Sequence, residues 1–157
     1  MFELTFINMR KVSIAKVKKN IQGLEKVQDL EMMLEYVPAD QKFLKEEIIA
    51  NAVRKGITTD SEHIDIAIRY FVDKKWYDIA VVVACKTKGV EEGIKIYQLA
   101  GNFDSSAKMW EEQGNFSQAI DDYVRASNFT DAIRLCNASG DYKRAHIYKK
   151  LSDILNI

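Results

Sequence analysis

Polar and apolar positions in the second half of this chain recur every 13 residues, most visibly as Asn102-Phe103, Asn115-Phe116, Asn128-Phe129 and Asp141-Tyr142. Counting the aromatic position as zero, units start at Ile64, Tyr77, Val90, Phe103, Phe116, Phe129 and Tyr142. Three residues on stand Ala67, Ala80, Gly93, Ser106, Ala119, Ala132 and Ala145, small in every unit, as two helix backbones need where they cross closely. Ile68, Val81, Ile94, Ala107, Ile120, Ile133 and His146 come next, and with position seven they follow the three-and-four spacing of a buried helical stripe. A unit this short holds one helix of about ten residues, roughly 15 Å long, and a tight turn. Such a helix has too little surface to bury alone and must stack on its neighbours.

Start and stop signals share the phase. Asp65, Asp78, Asp104, Ser117 and Thr130 follow position zero and are expected to accept hydrogen bonds from first-turn amides. Gly101, Gly114 and Gly140 stand two residues before the next aromatic, where a helix often ends in a left-handed residue. The pattern predicts helices near 65–74, 78–87, 91–100, 104–113, 117–126, 130–139 and 143–153. Position seven alternates between Phe71, Tyr97, Tyr123 and Ala84, Trp110, Cys136, so the structural unit is a helical hairpin repeating every 26 residues.

Residues 1–60 do not share this phase. Ile14, Val17, Ile21, Leu24, Val27, Leu30, Leu34 and Val37 keep helical spacing, with a break at Gly23 and a stop at Pro38. Asp40 is expected to cap a third helix running to about Lys55, burying Phe43, Leu44, Ile48, Ile49 and Val53 and ending at Gly56. Phe2, Leu4 and Phe6 alternate with polar residues but have no strand to pair with, which favours an irregular start or an early helical turn. The predicted architecture is all-α, with residues 1–60 a capping segment packed as one domain with repeats over 61–157.

The stretch Gln113-Gly114-Asn115-Phe116-Ser117-Gln118-Ala119-Ile120-Asp121-Asp122-Tyr123-Val124-Arg125-Ala126 resembles the turn and second helix of a tetratricopeptide repeat. Its small-x3-aromatic-x2-small signature recurs as Gly93, Tyr97, Ala100 and as Ala119, Tyr123, Ala126, and weakens at the ends to Ala67, Phe71, Lys74 and Ala145, Lys149, Ser152. Short glycine-aromatic helices of this kind are also similar to the solenoids of clathrin, coatomer and intraflagellar-transport subunits. The resemblance spans residues 62–153 and implies a right-handed α-solenoid of the tetratricopeptide-like superfamily, with short antiparallel hairpins. It also implies that the first helix of each hairpin, at 78–87, 104–113 and 130–139, lines a concave binding face. Lys86, Lys108, Glu111, Glu112, Arg134 and Asn137 lie there outside the small, apolar and aromatic columns, and are the expected contacts for a partner segment of mixed charge.

Composition narrows the picture. A chain of 157 residues with 47% hydrophobic and 10% aromatic content, and a single proline, is long enough for a helical core. No apolar run approaches the ~18 residues of a membrane helix and no signal-like segment opens the chain, so a cytoplasmic protein without a membrane span is expected. Formal net charge is zero, yet residues 1–22 hold Arg10, Lys11, Lys16, Lys18 and Lys19 against Glu3. No basic stripe continues through the repeats, so nucleic acid is the alternative partner and not the leading one.

Catalytic chemistry finds little footing. His63 and His146 lie on different predicted helices, Cys85 and Cys136 carry no metal-ligand spacing, and Cys136 reads as a core residue. The pairs Glu91-Glu92, Glu111-Glu112 and Asp121-Asp122 point about 100° apart on a helix and read as solvated faces. Trp110, Tyr97 and Tyr123 read as core. The expectation is a non-catalytic scaffold or assembly subunit with a protein or peptide partner and no cofactor or metal. A homo-oligomer is compatible with this. The alternatives are a nucleic-acid binder using the basic N-terminal helix and an enzyme with a site between the two segments.

Overall fold

From Tyr77 onward, successive helices begin at the 13-residue step itself. In a computed structural model, which describes Val17 and residues 20–156, the helices are α1 (Val27–Tyr36), α2 (Lys42–Arg54), α3 (Ser61–Asp73), α4 (Tyr77–Thr87), α5 (Val90–Leu99), α6 (Phe103–Glu112), α7 (Phe116–Arg125), α8 (Phe129–Ala138) and α9 (Tyr142–Leu155). Every described residue in regular structure is helical, so the all-α expectation holds. Ile14, the alternation at Phe2 to Phe6 and the basic cluster from Arg10 to Lys19 lie outside the described residues.

Asn102, Asn128 and Asp141, not the residues after the aromatic, cap their helices. Their side chains accept from the backbone N–H three residues on, at Ser105 (3.4 Å), Asp131 (3.2 Å) and Arg144 (3.1 Å). The aromatic is thus the first helical residue, and Asp104, Ser117 and Thr130 fall inside the first turn, too late to cap it. At the other end each helix closes by a six-residue hydrogen bond from the next N-cap amide to the carbonyl at position seven. Asn102, Asn115, Asn128 and Asp141 donate to Tyr97, Trp110, Tyr123 and Cys136 at 2.8–2.9 Å. This loop needs a left-handed residue between them. Gly114 supplies it at φ 75°, while Ser127 adopts φ 60° in the same place without glycine's freedom.

All seven small residues of the third column are buried, from Ala67 to Ala145. That column sits where successive helices cross, and α5 packs on α6, α6 on α7, α7 on α8 and α8 on α9. The contacts divide the chain into two compact units, through Val83 and from Ala84, with the boundary inside α4. In the first unit α1 packs on α2 and α2 on α3. Its core joins Val17, Ile21, Leu24, Leu30, Met33, Val37, Leu44, Ile48 and Ala52. Lys55, just past the end of α2, donates through its ammonium to the carbonyls of Gln22 (2.7 Å), Leu24 (3.2 Å) and Ile21 (3.4 Å), satisfying a helix end that has lost its own partners.

Three local expectations change here, and the start of α3 is set by its cap. Helix α2 starts at Lys42 after Gln41, so Asp40 does not cap it. Phe43 is 52% exposed, because it sits in the first turn of α2 and packs at the surface, its ring tilted 45° to that of Tyr70 (5.7 Å) and beneath the Lys74 ammonium (4.3 Å). Val27, the first residue of α1, is exposed, and Met33 takes the inward position beside a half-buried Leu34. Helix α3 begins at Ser61, capped by the Asp60 carboxylate on the His63 amide at 3.0 Å.

Candidate functional site

Three of the six residues expected on the binding face come together in one hydrogen-bonded chain across α6, α7 and α8. Lys108 pairs with Asp104 (3.2 Å), whose other oxygen accepts from Asn128 Nδ2 (2.7 Å); that amide also reaches Asp131 (2.9 Å). Asp131 in turn holds Arg134 Nε (2.9 Å), and both Nη atoms of Arg134 meet the two oxygens of Glu111 at 2.9 Å each. Tyr123, buried between the helices, donates its hydroxyl to Glu111 at 3.0 Å. The guanidinium holds the Glu111 carboxyl below its ordinary range, as the Asn128 amide does for Asp104. Burial, reinforced by Glu111, pushes the Tyr123 phenol up. A planar fork on a carboxylate is the strongest ion-pair geometry available at such a surface. Glu111 and Arg134 therefore answer each other first, whereas Lys86, Glu112 and Asn137 are exposed outside this chain of bonds.

A second constellation was not among the expected site residues. Asp122, read from sequence as part of a solvated acidic face, is 3% exposed, while its neighbour Asp121 is exposed and faces Arg144 at 3.6 Å. The helical turn separates the two by about 100°, which puts one in the core and one in water. Ser106 from α6 and Gln98 from α5 both donate to Asp122 Oδ2 at 2.7 Å, and Arg125 Nη1 approaches Oδ1 at 3.4 Å. One carboxylate thus ties three consecutive helices.

The sequence did carry a signal for it. Position six of the repeat reads Tyr70, Val83, Ile96, Met109, Asp122, Leu135 and Tyr148, apolar or aromatic everywhere but here. Ser106 is likewise the only hydroxyl in the small column. The two departures from the pattern are hydrogen-bonded to each other.

Above this buried carboxylate lies a cavity of about 350 Å³ lined by Lys95, Gln98 and Leu99 of α5, Phe103 of α6 and Arg125 of α7. The Arg125 guanidinium lies over the Phe103 ring at 4.5 Å, a cation–π contact. Lys95 is paired with Glu92 at 2.6 Å on the outer surface of α5. Leu99 is 85% exposed, the most exposed large apolar side chain among the described residues.

The described residues contain no cluster of three or more His, Cys, Asp or Glu placed to hold a metal ion, and no helix long and apolar enough to cross a membrane. Burial raises the pKa of both thiols, Cys85 and Cys136, which leaves them less nucleophilic. Phe71, Tyr123 and Cys136 of position seven are buried, with Trp110 and Tyr97 half-buried beside them, and His146 is exposed. Compared with protein-family models, with curated proteins and with solved structures, the chain matches none of them.

Proposed function

We propose that this chain is a non-catalytic protein-interaction module, a right-handed solenoid of short tetratricopeptide-like hairpins that holds a segment of a partner protein on its repeat surface. The observation that carries the reading is the buried column of small residues, which leaves each helix to pack on its sequence neighbours and to present its remaining faces to solvent. Hydrogen bonds between helices two apart support a layered stack: Gln98 to Asp122, Asn128 to Asp104 and Arg134 to Glu111. A layered stack of this kind gives a long surface of regularly spaced side chains, suited to an extended or helical segment.

The test is affinity capture with the intact chain as bait, followed by cross-linking and mass spectrometry. A binding module retains a protein whose cross-links fall on lysines of the repeat, and Lys86→Glu with Lys108→Glu weakens retention several-fold while the circular dichroism spectrum is preserved. These two are the appropriate pair because Lys108→Glu gives up only a contact with Asp104 within one helix, whereas Arg134→Glu would remove the two-pronged bridge between helices to Glu111. Retention of nucleic acid in place of protein, or of neither, would refute the reading.

A further inference from the structure

The geometry points to the cavity between α5, α6 and α7 as a docking site for an acidic residue flanked by an aliphatic or aromatic one, within a partner peptide. This inference rests on the reading of the chain as a protein-interaction module and names the partner's chemistry.

A charge at position six and a hydroxyl in the small column break the packing rule that the other units obey, and a buried carboxylate is costly even when paired. The fold needs neither group for its register, since apolar and small residues serve at the equivalent places in neighbouring units. What Asp122 supplies is position. It holds the side-chain amide of Gln98 and the guanidinium of Arg125, one on each oxygen, and both of those side chains line the cavity. Arg125 is fixed a second time by the Phe103 ring beneath it.

A guanidinium restrained from two sides keeps donors for an incoming carboxylate, and the restraint lowers the entropic cost of the contact. Lys95 on α5 adds a second cationic head, and among the described residues no acidic side chain lines the cavity wall. Its bond to Glu92 is between two exposed groups, so exchange for a ligand carboxylate costs little. Gln98 donates its NH₂ inward to Asp122, which turns its carbonyl oxygen to the role of acceptor for a peptide N–H. Leu99 and Phe103 give the apolar contact. The complement is an anion with an adjoining apolar side chain, offered by a strand of backbone.

The experiment selects binders for the full chain from a random peptide library displayed on phage, then measures the selected peptides as labelled probes by fluorescence anisotropy. The expected winners place Asp or Glu beside Leu, Ile or Phe. They lose about tenfold in affinity against Lys95→Glu and against Leu99→Asp, both surface changes that leave the fold intact, and they keep their affinity against Lys149→Glu on α9. The double variant Ser106→Ala with Asp122→Leu restores the repeat pattern; it is expected to fold and yet to lose about tenfold in affinity, because Gln98 and Arg125 are no longer held. Winners of other composition, or winners indifferent to Lys95→Glu and Leu99→Asp, would overturn the docking site and leave the interaction module standing. A library yielding no binder would count against the module itself. Single-stranded DNA used as a probe is expected not to bind; binding that depends on Lys95 and Arg125 would replace the peptide by a polyanion and overturn the proposal.

Discussion

The two compact units of this molecule are held together in different ways. The unit through Val83 has a core of large aliphatic side chains, Leu24, Leu30, Met33, Leu44 and Ile48, which interlock by volume. The unit from Ala84 has a core of small residues, Ala107, Ala119, Ala132 and Ala145, around a few larger ones, and a web of polar bonds from Gln98 to Arg144. Non-directional burial tolerates irregular spacing, because any apolar surface suits any other. Small-residue crossings do not: they bring backbones close and leave the register to be fixed by directional bonds such as Glu111 to Arg134. A repeat can therefore be short only if its polar bonds and its turns are as regular as its core.

This contrast is open to measurement because each unit holds one of the two tryptophans, Trp76 and Trp110. Single-tryptophan variants carrying Trp110→Phe or Trp76→Phe report denaturant unfolding of the first and second unit respectively. The largest effect is expected for Ile48→Ala, at 0% exposure, which should cost about 2–5 kcal/mol by the Trp76 signal. A loss under 1 kcal/mol would show that aliphatic volume does not hold the first unit.

Asp122→Ala should lower stability by about 3 kcal/mol by the Trp110 signal, since it strands donors on Ser106 and Gln98, whereas Asp121→Ala should stay within about 0.5 kcal/mol. Ser106→Ala with Asp122→Leu should recover most of that loss, because the unpaired groups are removed together. Equal costs at Asp121 and Asp122 would place both carboxylates in solvent.

Ala119→Leu should cost about 1–3 kcal/mol through overpacking at the crossing, against little for the exposed Glu112→Leu. Ser127→Gly should add about 1 kcal/mol, since φ 60° is strained for serine and open to glycine. A neutral or destabilising result would mean that the turn is relaxed.

The smallest effect is on pH dependence. The folded pKa of Glu111 is lowered by Arg134, so the unfolded state binds the proton more readily. Its stabilisation is complete above the ordinary value of 4.5 and is withdrawn as pH falls through the lowered folded value. Glu111→Gln should flatten the acid limb of the Trp110 midpoint, and an unchanged limb would show that the fork is not formed in solution.

Much of this molecule can be read along its sequence. The 13-residue period located the helices from Tyr77 to Tyr142 to within a residue at their starts, and it identified the small column, the left-handed turns at Gly101, Gly114 and Gly140, and the burial of Cys136. These depend on neighbours along the chain, where spacing alone fixes which side chains share a face. The caps were misplaced by two residues, since Asn102 and Asp104 are both plausible acceptors and only the backbone geometry chooses between them.

The candidate site was legible only in part. Lys108, Glu111 and Arg134 were singled out by their columns, but the bond from Arg134 to Glu111 spans 23 residues, a separation at which sequence spacing assigns no partner. The same holds for Gln98 and Asp122, 24 residues apart. Local periodicity and turn chemistry were enough to specify helices throughout the described residues and the face that each helix of the 13-residue period buries. That Asp122 is inside, that Ser106 and Gln98 meet it there, and that Arg125 lines a cavity came from the three-dimensional arrangement alone. A hydrogen bond between helices depends on where two separate backbones come to rest, and that position is set by the packing of all the helices around them.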